Sequence, residues 1–336
     1  MRQVFAKHLN RNVIIGGCKL PKVVHGFKLK AFLTAPPVAP ATCDYSVAAI
    51  SVIEDIEGND KYGDCVLAED AHYIAVVTGN ANTLYAYTDT QVLADYTAIT
   101  GFNASIPSTD QGTDPIVALN YRVTTGYADG SKDAGWVLVD ATNQNEVAYA
   151  LATFGNLKMW FGVPEAIIQS MPSASGFVWD VTMGSAGQDG HCIGSCGFNV
   201  PKIQVVAVTA QGLLVMTWGM LGIITWAAVA AWFVPSAGGG MAVRVSQDWI
   251  NQKTGVAPSG LNLSALIAAF DSYFGGSVQA PPAAPPAAPL AWRGDLALAQ
   301  EAAAAGISKG GALLTKTQAI QFSAQGLAAS WTVGGP

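Results

Sequence analysis

The sequence predicts an α+β chain, with helices gathered in the first half and strands in the second. Three observations carry this reading. Apolar residues recur at helical spacing over Cys65 to Val77, Gln91 to Ile99 and Asn145 to Phe154. From residue 192 onward the apolar segments shorten, become β-branched and alternate, as strands do. Half of the composition is apolar (51%) and only 12% is charged, enough to build a large core in 336 residues.

Residues 1–44 carry short apolar runs broken by Pro21, Pro36, Pro37 and Pro40, and are expected to form an extended N-terminal arm. The main domain is expected over 45–275. Its first helix runs from Cys65 to Val77, with Gly79 just beyond its end. Thr88-Asp89 caps a second helix that closes at Gly101. Ser108 to Asp114 is a turn-rich loop, and Pro115 stands at a helix start before Ile116 to Tyr121. Trp136 to Val139 and Lys158 to Val163 read as strands around the helix Asn145 to Phe154. Cys192 to Phe198, Ile203 to Thr209, Leu213 to Thr217 and Met241 to Val245 read as further strands, with Trp226 to Phe233 a short helix and Leu263 to Phe270 a late one. A Pro/Ala run at 276–290 reads as a semi-rigid linker, leaving 291–336 as a small C-terminal docking segment.

Leu213 to Val234 holds no charge and is long enough to cross a bilayer. Its Gly219, Gly222, Thr217 and Thr225, and the lack of a close Lys/Arg flank, favour two buried segments with a break near Gly219. A membrane is therefore not an expected partner. Net charge of −6 without a basic run argues against nucleic acid. Five cysteines in no regular framework argue against a disulfide scaffold. The N-terminus lacks the apolar run of a signal peptide.

Chemistry concentrates at two places. Cys65 follows the polar turn Asn59-Asp60-Lys61-Tyr62-Gly63-Asp64 and opens a helix, whose N-terminus favours a thiolate. His191, 126 residues later, opens a strand-like segment and can act as a base. The bland readings are a buried structural cysteine and a strand-edge histidine with a satisfied ring. Cys192 and Cys196 suggest zinc beside His191, but strand alternation turns them to the opposite face, so no metal and no cofactor is expected. His72 reads as a solvated or packing residue, and Trp218, Trp226 and Trp232 read mainly as core.

Taken together these segments resemble the papain-like cysteine peptidases. Cys65 at a helix start resembles the nucleophile. Asn59, six residues earlier, falls where the family carries its oxyanion-hole Gln. The Asp110-Gln111-Gly112-Thr113-Asp114 turn resembles the stretch lining the substrate groove. His191 followed by Gly197-Phe198 matches the strand of the catalytic His, and Thr217-Trp218-Gly219 resembles the end of the Asn-Ser-Trp-Gly motif. The order runs over roughly residues 45 to 250 and implies a helical half followed by an antiparallel barrel-like sheet. The resemblance assigns catalytic roles to Cys65, His191, Asn59 and Thr217, and the groove to Gly112, Thr113, Asp114 and Trp218.

Two departures stand out. Met216 occupies the position of the orienting Asn, with Thr217 expected to point to the other face, and Val66 replaces the Trp after the nucleophile. No propeptide is evident in the roughly 40 residues before the domain. The pattern also resembles uncharacterised papain-like proteins of phages and prophages. That implies either a cysteine peptidase or amidase acting on a peptide or cell-wall peptide, carried on a phage particle, or a catalytically silent scaffold in a virion. In both cases the two terminal segments would dock on other virion proteins or on copies of the chain.

Overall fold

The computed structural model describes residues 1–34, 38–246, 261, 263–274, 308–309 and 312–313. The expected linker at 276–290 lies outside the described residues. The chain divides into two units, 1–281 and 282–336. In the second, the described residues form a two-strand pair, Ser308–Lys309 with Ala312–Leu313.

The first unit begins with a hairpin of β1 (Arg2–Ala6) and β2 (Arg11–Ile15), where an extended arm was expected. Ala6, Val13 and Ile15 are fully buried in the main core, and Leu29 joins them. The apolar runs between the prolines are thus inward faces of a packed segment. A short β3 (Cys43–Asp44) and α1 (Ile50–Ile53) lead into α2 (Cys65–Asn80), which runs three residues past the predicted end. Next come α3 (Asp89–Thr100) and α4 (Pro115–Thr124). Thr88 and Gln91 form a reciprocal capping box, Gly101 ends α3 at φ 74°, and Asp114 caps α4.

β4 (Asp133–Leu138), α5 (Gln144–Phe154), β5 (Leu157–Gly162), α6 (Glu165–Gln169), β6 (Phe177–Trp179) and β7 (Gly190–Phe198) follow. The expected strand Ile203 to Thr209 is a tight pair, β8 (Lys202–Ile203) with β9 (Val206–Ala207). β10 (Gly212–Thr217) and β11 (Met220–Thr225) then turn back at Trp218-Gly219, and α7 (Trp226–Trp232), β12 (Gly240–Ser246) and α8 (Leu263–Phe274) complete the unit. The uncharged run is therefore two strands and a short helix, and no helix among the described residues is long and apolar enough to cross a membrane.

Eight strands form the main sheet, in the order β4-β12-β5-β7-β10-β11-β6 with β3 also paired to β7, while β1-β2 and β8-β9 pair separately. It is an α+β fold in the predicted order. It is open, however: among the described residues no pairing joins β4 to β6, and β6 lies parallel to β11. One face carries α2, α3 and α4 over Trp136, Trp160, Cys192 and Ala242. The other carries α5, α7 and α8 over Met159, Phe161, Ile193 and Val243.

A buried ion cluster fixes α2 to the sheet. Lys158 on β5 donates to the Val66 carbonyl (2.6 Å), Glu69 (2.7 Å) and Asp70 (2.7 Å). Arg244 on β12 reaches Glu69 and Asp70, while Arg122 on α4 reaches Asp70 and Asp95. Burial opposes the charge on Asp70, and the three surrounding cations more than offset it, holding the carboxyl below its ordinary value. Sequence patterning hides this cluster, because single charges in apolar strands look like exceptions until the strands are paired.

Candidate active site

Cys65 is the first residue of α2, and Asp64 at its N-cap makes no side-chain capping bond. The sulfur is 2% exposed as a residue and sits under the backbone N–H groups of Cys192 and Val66. Burial outweighs these donors and pushes the thiol up to about 12. His191 is the second residue of β7 and is equally buried; burial pulls its imidazole down to about 3. At neutral pH the pair in this conformation is thiol and neutral imidazole, not thiolate and imidazolium.

Cys65, His191, Asn59, Thr217 and Trp218 line one cavity of about 10 Å³, room for about one water. Thr217 Oγ1 lies 2.8 Å from His191 Nε2, and the Trp218 ring stacks on the imidazole at 4.2 Å and 12°. His191 Nδ1 has no hydrogen-bond partner among the described residues. The expectation that Thr217 faces away is thus overturned. Met216 pairs with Gly194 and packs among Leu214 and Cys196, so Thr217, the next residue, shares the face of His191. The Trp218-Gly219 turn has φ of 47° and 73°, and a Cβ on Gly219 would come within 2.5 Å of the Glu54 carbonyl oxygen. That close approach fixes the turn that lays Trp218 on the ring.

Replacing Thr217 with Val should leave both ring nitrogens of a buried imidazole unpaired, a loss of about 1–3 kcal/mol in urea unfolding. Thr217→Ser should retain most of the stability. Equal losses in the two variants would mean that the hydroxyl is not what holds the ring.

Asn59 lines the cavity, but its carboxamide nitrogen donates to the Tyr62 carbonyl and Asp64 Oδ1, both at 3.2 Å. Both hydrogens are committed, so in this conformation it offers no donor to an oxyanion. Asp64 is fully buried, and burial raises its carboxyl well above the ordinary range. Asp114, read into the groove from sequence, spends its carboxylate on the Ile116 N–H at 2.7 Å as the cap of α4. Gly112 and Thr113, also read into the groove from sequence, pack against residues 17–19.

Residues 16–19 run between Gly190 and Thr113. The N–H groups of Gly16 and Cys18 donate to the Gly190 carbonyl (3.1 and 3.2 Å), next to His191. On the other side Thr113 N–H donates to the Gly17 carbonyl (2.8 Å) and Lys19 N–H to the Thr113 carbonyl (2.9 Å), a parallel bridge centred on Cys18. A Cβ on Gly17 would come within 2.5 Å of the Gly63 carbonyl oxygen, two residues before Cys65. The hairpin contacts the same region: Ile14 N–H donates to the Asn59 carbonyl, Arg11 pairs with Asp60 (2.8 Å), and His8 Nε2 meets the Trp218 carbonyl (2.8 Å). Along this contact His8 Nδ1, Asp64 Oδ2, Thr113 Oγ1 and Trp218 Nε1 join His191 Nδ1 as buried polar atoms without a partner among the described residues. Polar groups in a settled core are normally satisfied, so such a concentration calls for an explanation.

No protein-family model matches the sequence, and no curated protein matches it. Solved structures do resemble the chain. They include the ragweed pollen allergen Amb a 11 cysteine protease in its proform, at 13% identity and TM-score 0.45, over 63% of this chain and 67% of that one. Xylellain, a cysteine protease from Xylella fastidiosa, aligns at 10% identity and TM-score 0.47 over 73% and 98%. Digestive procathepsin L2 from the Tenebrio molitor larval midgut aligns at 15% and 0.46 over 69% and 78%. At these levels nothing about activity follows from the likeness, and the functional argument rests on the chain's own residues.

Proposed function

We propose that the first unit is a papain-like thiol hydrolase site, closed in this conformation by the chain's own residues 16–19. The observation that supports it best is a single arrangement: Cys65 at a helix N-terminus and His191, fixed through Nε2, share one cavity, with Nδ1 left unpartnered there. Once water reaches that cavity, the burial that raises the thiol and lowers the imidazole falls away. Proton transfer from Cys65 to His191 Nδ1 then becomes favourable, and the helix N-terminus and the N–H groups of Cys192 and Val66 stabilise the thiolate. The sulfur would attack an amide carbonyl, the imidazolium would give its proton to the leaving amine, and water deprotonated by the imidazole would then cleave the resulting thioester, releasing the acid and restoring Cys65. An extended peptide fits this role, because the groove already holds an extended backbone on both edges.

The test uses Gly17→Val, whose side chain cannot fit against Gly63. The variant should hydrolyse denatured casein, and Gly17→Val/Cys65→Ser should not. Equal hydrolysis by both would remove Cys65 from the reaction. A second reading, a catalytically silent scaffold, is favoured by the committed amide of Asn59, and it gains if the opened chain is inert. Carriage on a phage particle, with the terminal segments docking on virion proteins, is a further proposal supported by the sequence resemblance alone.

A further inference from the structure

Four glycines meet beside the start of α2. Gly17, Gly63 and Gly190 have no positive φ, so backbone conformation does not call for glycine there. Close contact does. A Cβ on Gly17 would come within 2.5 Å of the Gly63 carbonyl oxygen and 2.7 Å of its Cα, and a Cβ on Gly190 within 2.1 Å of the Cys18 carbonyl oxygen. A Cβ on Gly112, at φ 71°, would come within 2.2 Å of the Gly17 carbonyl oxygen. Gly63, Gly112 and Gly190 thus wall a slot through which only backbone passes. The slot adjoins the reacting pair. Gly63 lies two residues before Cys65, Cys18 N–H donates to the carbonyl of Gly190 (3.2 Å), the residue before His191, and Cys18 shares a buried cluster with Cys65 and Cys192.

The walls are held by the body of the fold and not by segment 16–19. Asp110 accepts the Gly63 N–H on both carboxylate oxygens (3.1 and 3.2 Å) and the Tyr96 hydroxyl on one of them (2.6 Å). The Tyr96 oxygen in turn accepts the Gly112 N–H (2.8 Å), and Tyr96 itself is fully buried on α3. One carboxylate therefore sets the spacing between two walls. The third, Gly190, is fixed as the first residue of β7 by its pairing with Gly162 on β5. Withdrawal of residues 16–19 leaves all of these bonds in place.

We propose that this slot selects the substrate: the site takes extended peptides with glycine at the position where Gly17 now lies, and excludes any side chain there. The inference rests on the hydrolase reading and adds the substrate class to it. Even an alanine methyl at that position would have to displace the Gly63 backbone, and with it the first turn of α2. The experiment presents tryptic peptides of a denatured bacterial proteome to the full-length Gly17→Val chain, with Gly17→Val/Cys65→Ser as blank, and reads the cuts by mass spectrometry. Glycine should be enriched at least tenfold at one fixed position relative to the cut. Cys65-dependent cuts without that enrichment would overturn the slot and leave the hydrolase standing, whereas no Cys65-dependent cut would overturn the hydrolase reading and the substrate claim with it. Binding is measured separately, by calorimetry on Gly17→Val/Cys65→Ser, with acetyl-Ile-Ile-Gly-Gly-Ser-Lys-Leu-amide, which copies residues 14–20 with serine for Cys18. It should bind with a Kd below about 1 mM, and alanine in place of its second glycine should weaken binding at least tenfold. Equal affinity of the two peptides, or no binding of the first, would overturn the slot. Protection of Cys196 from labelling shows that the chain is folded, and Cys18→Asp is the second opening variant where Gly17→Val is not.

Discussion

Asp70→Asn should cost about 3–5 kcal/mol in denaturant unfolding, among the largest losses any single side chain here would cause. Asp70 is 1% exposed and is contacted by Lys158, Arg122 and Arg244 at once. Removing its charge leaves three buried cations facing Glu69 and Asp95. Their desolvation is already incurred, so the loss appears almost in full. Lys158→Met tests the same cluster from the other side. It withdraws the ammonium that ties β5 to the Val66 carbonyl and Glu69, and it should loosen the first turn of α2, where Cys65 lies. By contrast, Arg2→Ala breaks only solvent-accessible pairs with Glu165 and Asp189 and should leave the unfolding midpoint unchanged. Similar losses for Arg2→Ala and Asp70→Asn would mean that burial of the cluster is not what gives it weight.

The sequence made the element order legible because helices and strands here follow their own periodicities. The capping box at Thr88, the Pro115 helix start and the break at Gly219 are local signals, and local signals survive without tertiary knowledge. Cys65 and His191 were legible for the same reason: a polar turn ahead of a helix, and a histidine opening a strand. What stayed hidden depends on pairing. Thr217 could be told from Met216 only by the register that sets Met216 against Gly194. Asn59 looked like a free amide because its partners, Tyr62 and Asp64, are neighbours whose geometry no spacing rule gives. Asp114 reads as a groove residue or as a cap with equal ease. The first 34 residues misled most. Their prolines mark breaks, but the inward faces of Ala6, Val13 and Ile15 become visible only once the hairpin folds onto the main core.

Gly17→Val should raise the iodoacetamide labelling rate of Cys65 at neutral pH by about tenfold or more, since exposure and thiolate fraction rise together. In the native chain the sulfur is buried and its thiol pushed up to about 12. A valine side chain at residue 17 collides with the Gly63 backbone, which cannot yield without moving the start of α2, so the short segment 16–19 is the part that gives way. Cys196, buried on the far side of β7 from His191, reports unfolding: labelling of Cys65 with Cys196 protected means that segment 16–19 has moved, and labelling of both means the fold has been lost.

The most direct measurement is the pH profile of Cys65 labelling in Gly17→Val, with and without His191→Ala. If Cys65 and His191 form a working pair beneath residues 16–19, labelling in Gly17→Val begins well below the ordinary thiol range. In Gly17→Val/His191→Ala it then moves back to about pH 8.5. A profile rising only near pH 8.5 in both variants, with Cys196 protected, would contradict the account and leave Cys65 an ordinary thiol in a scaffold.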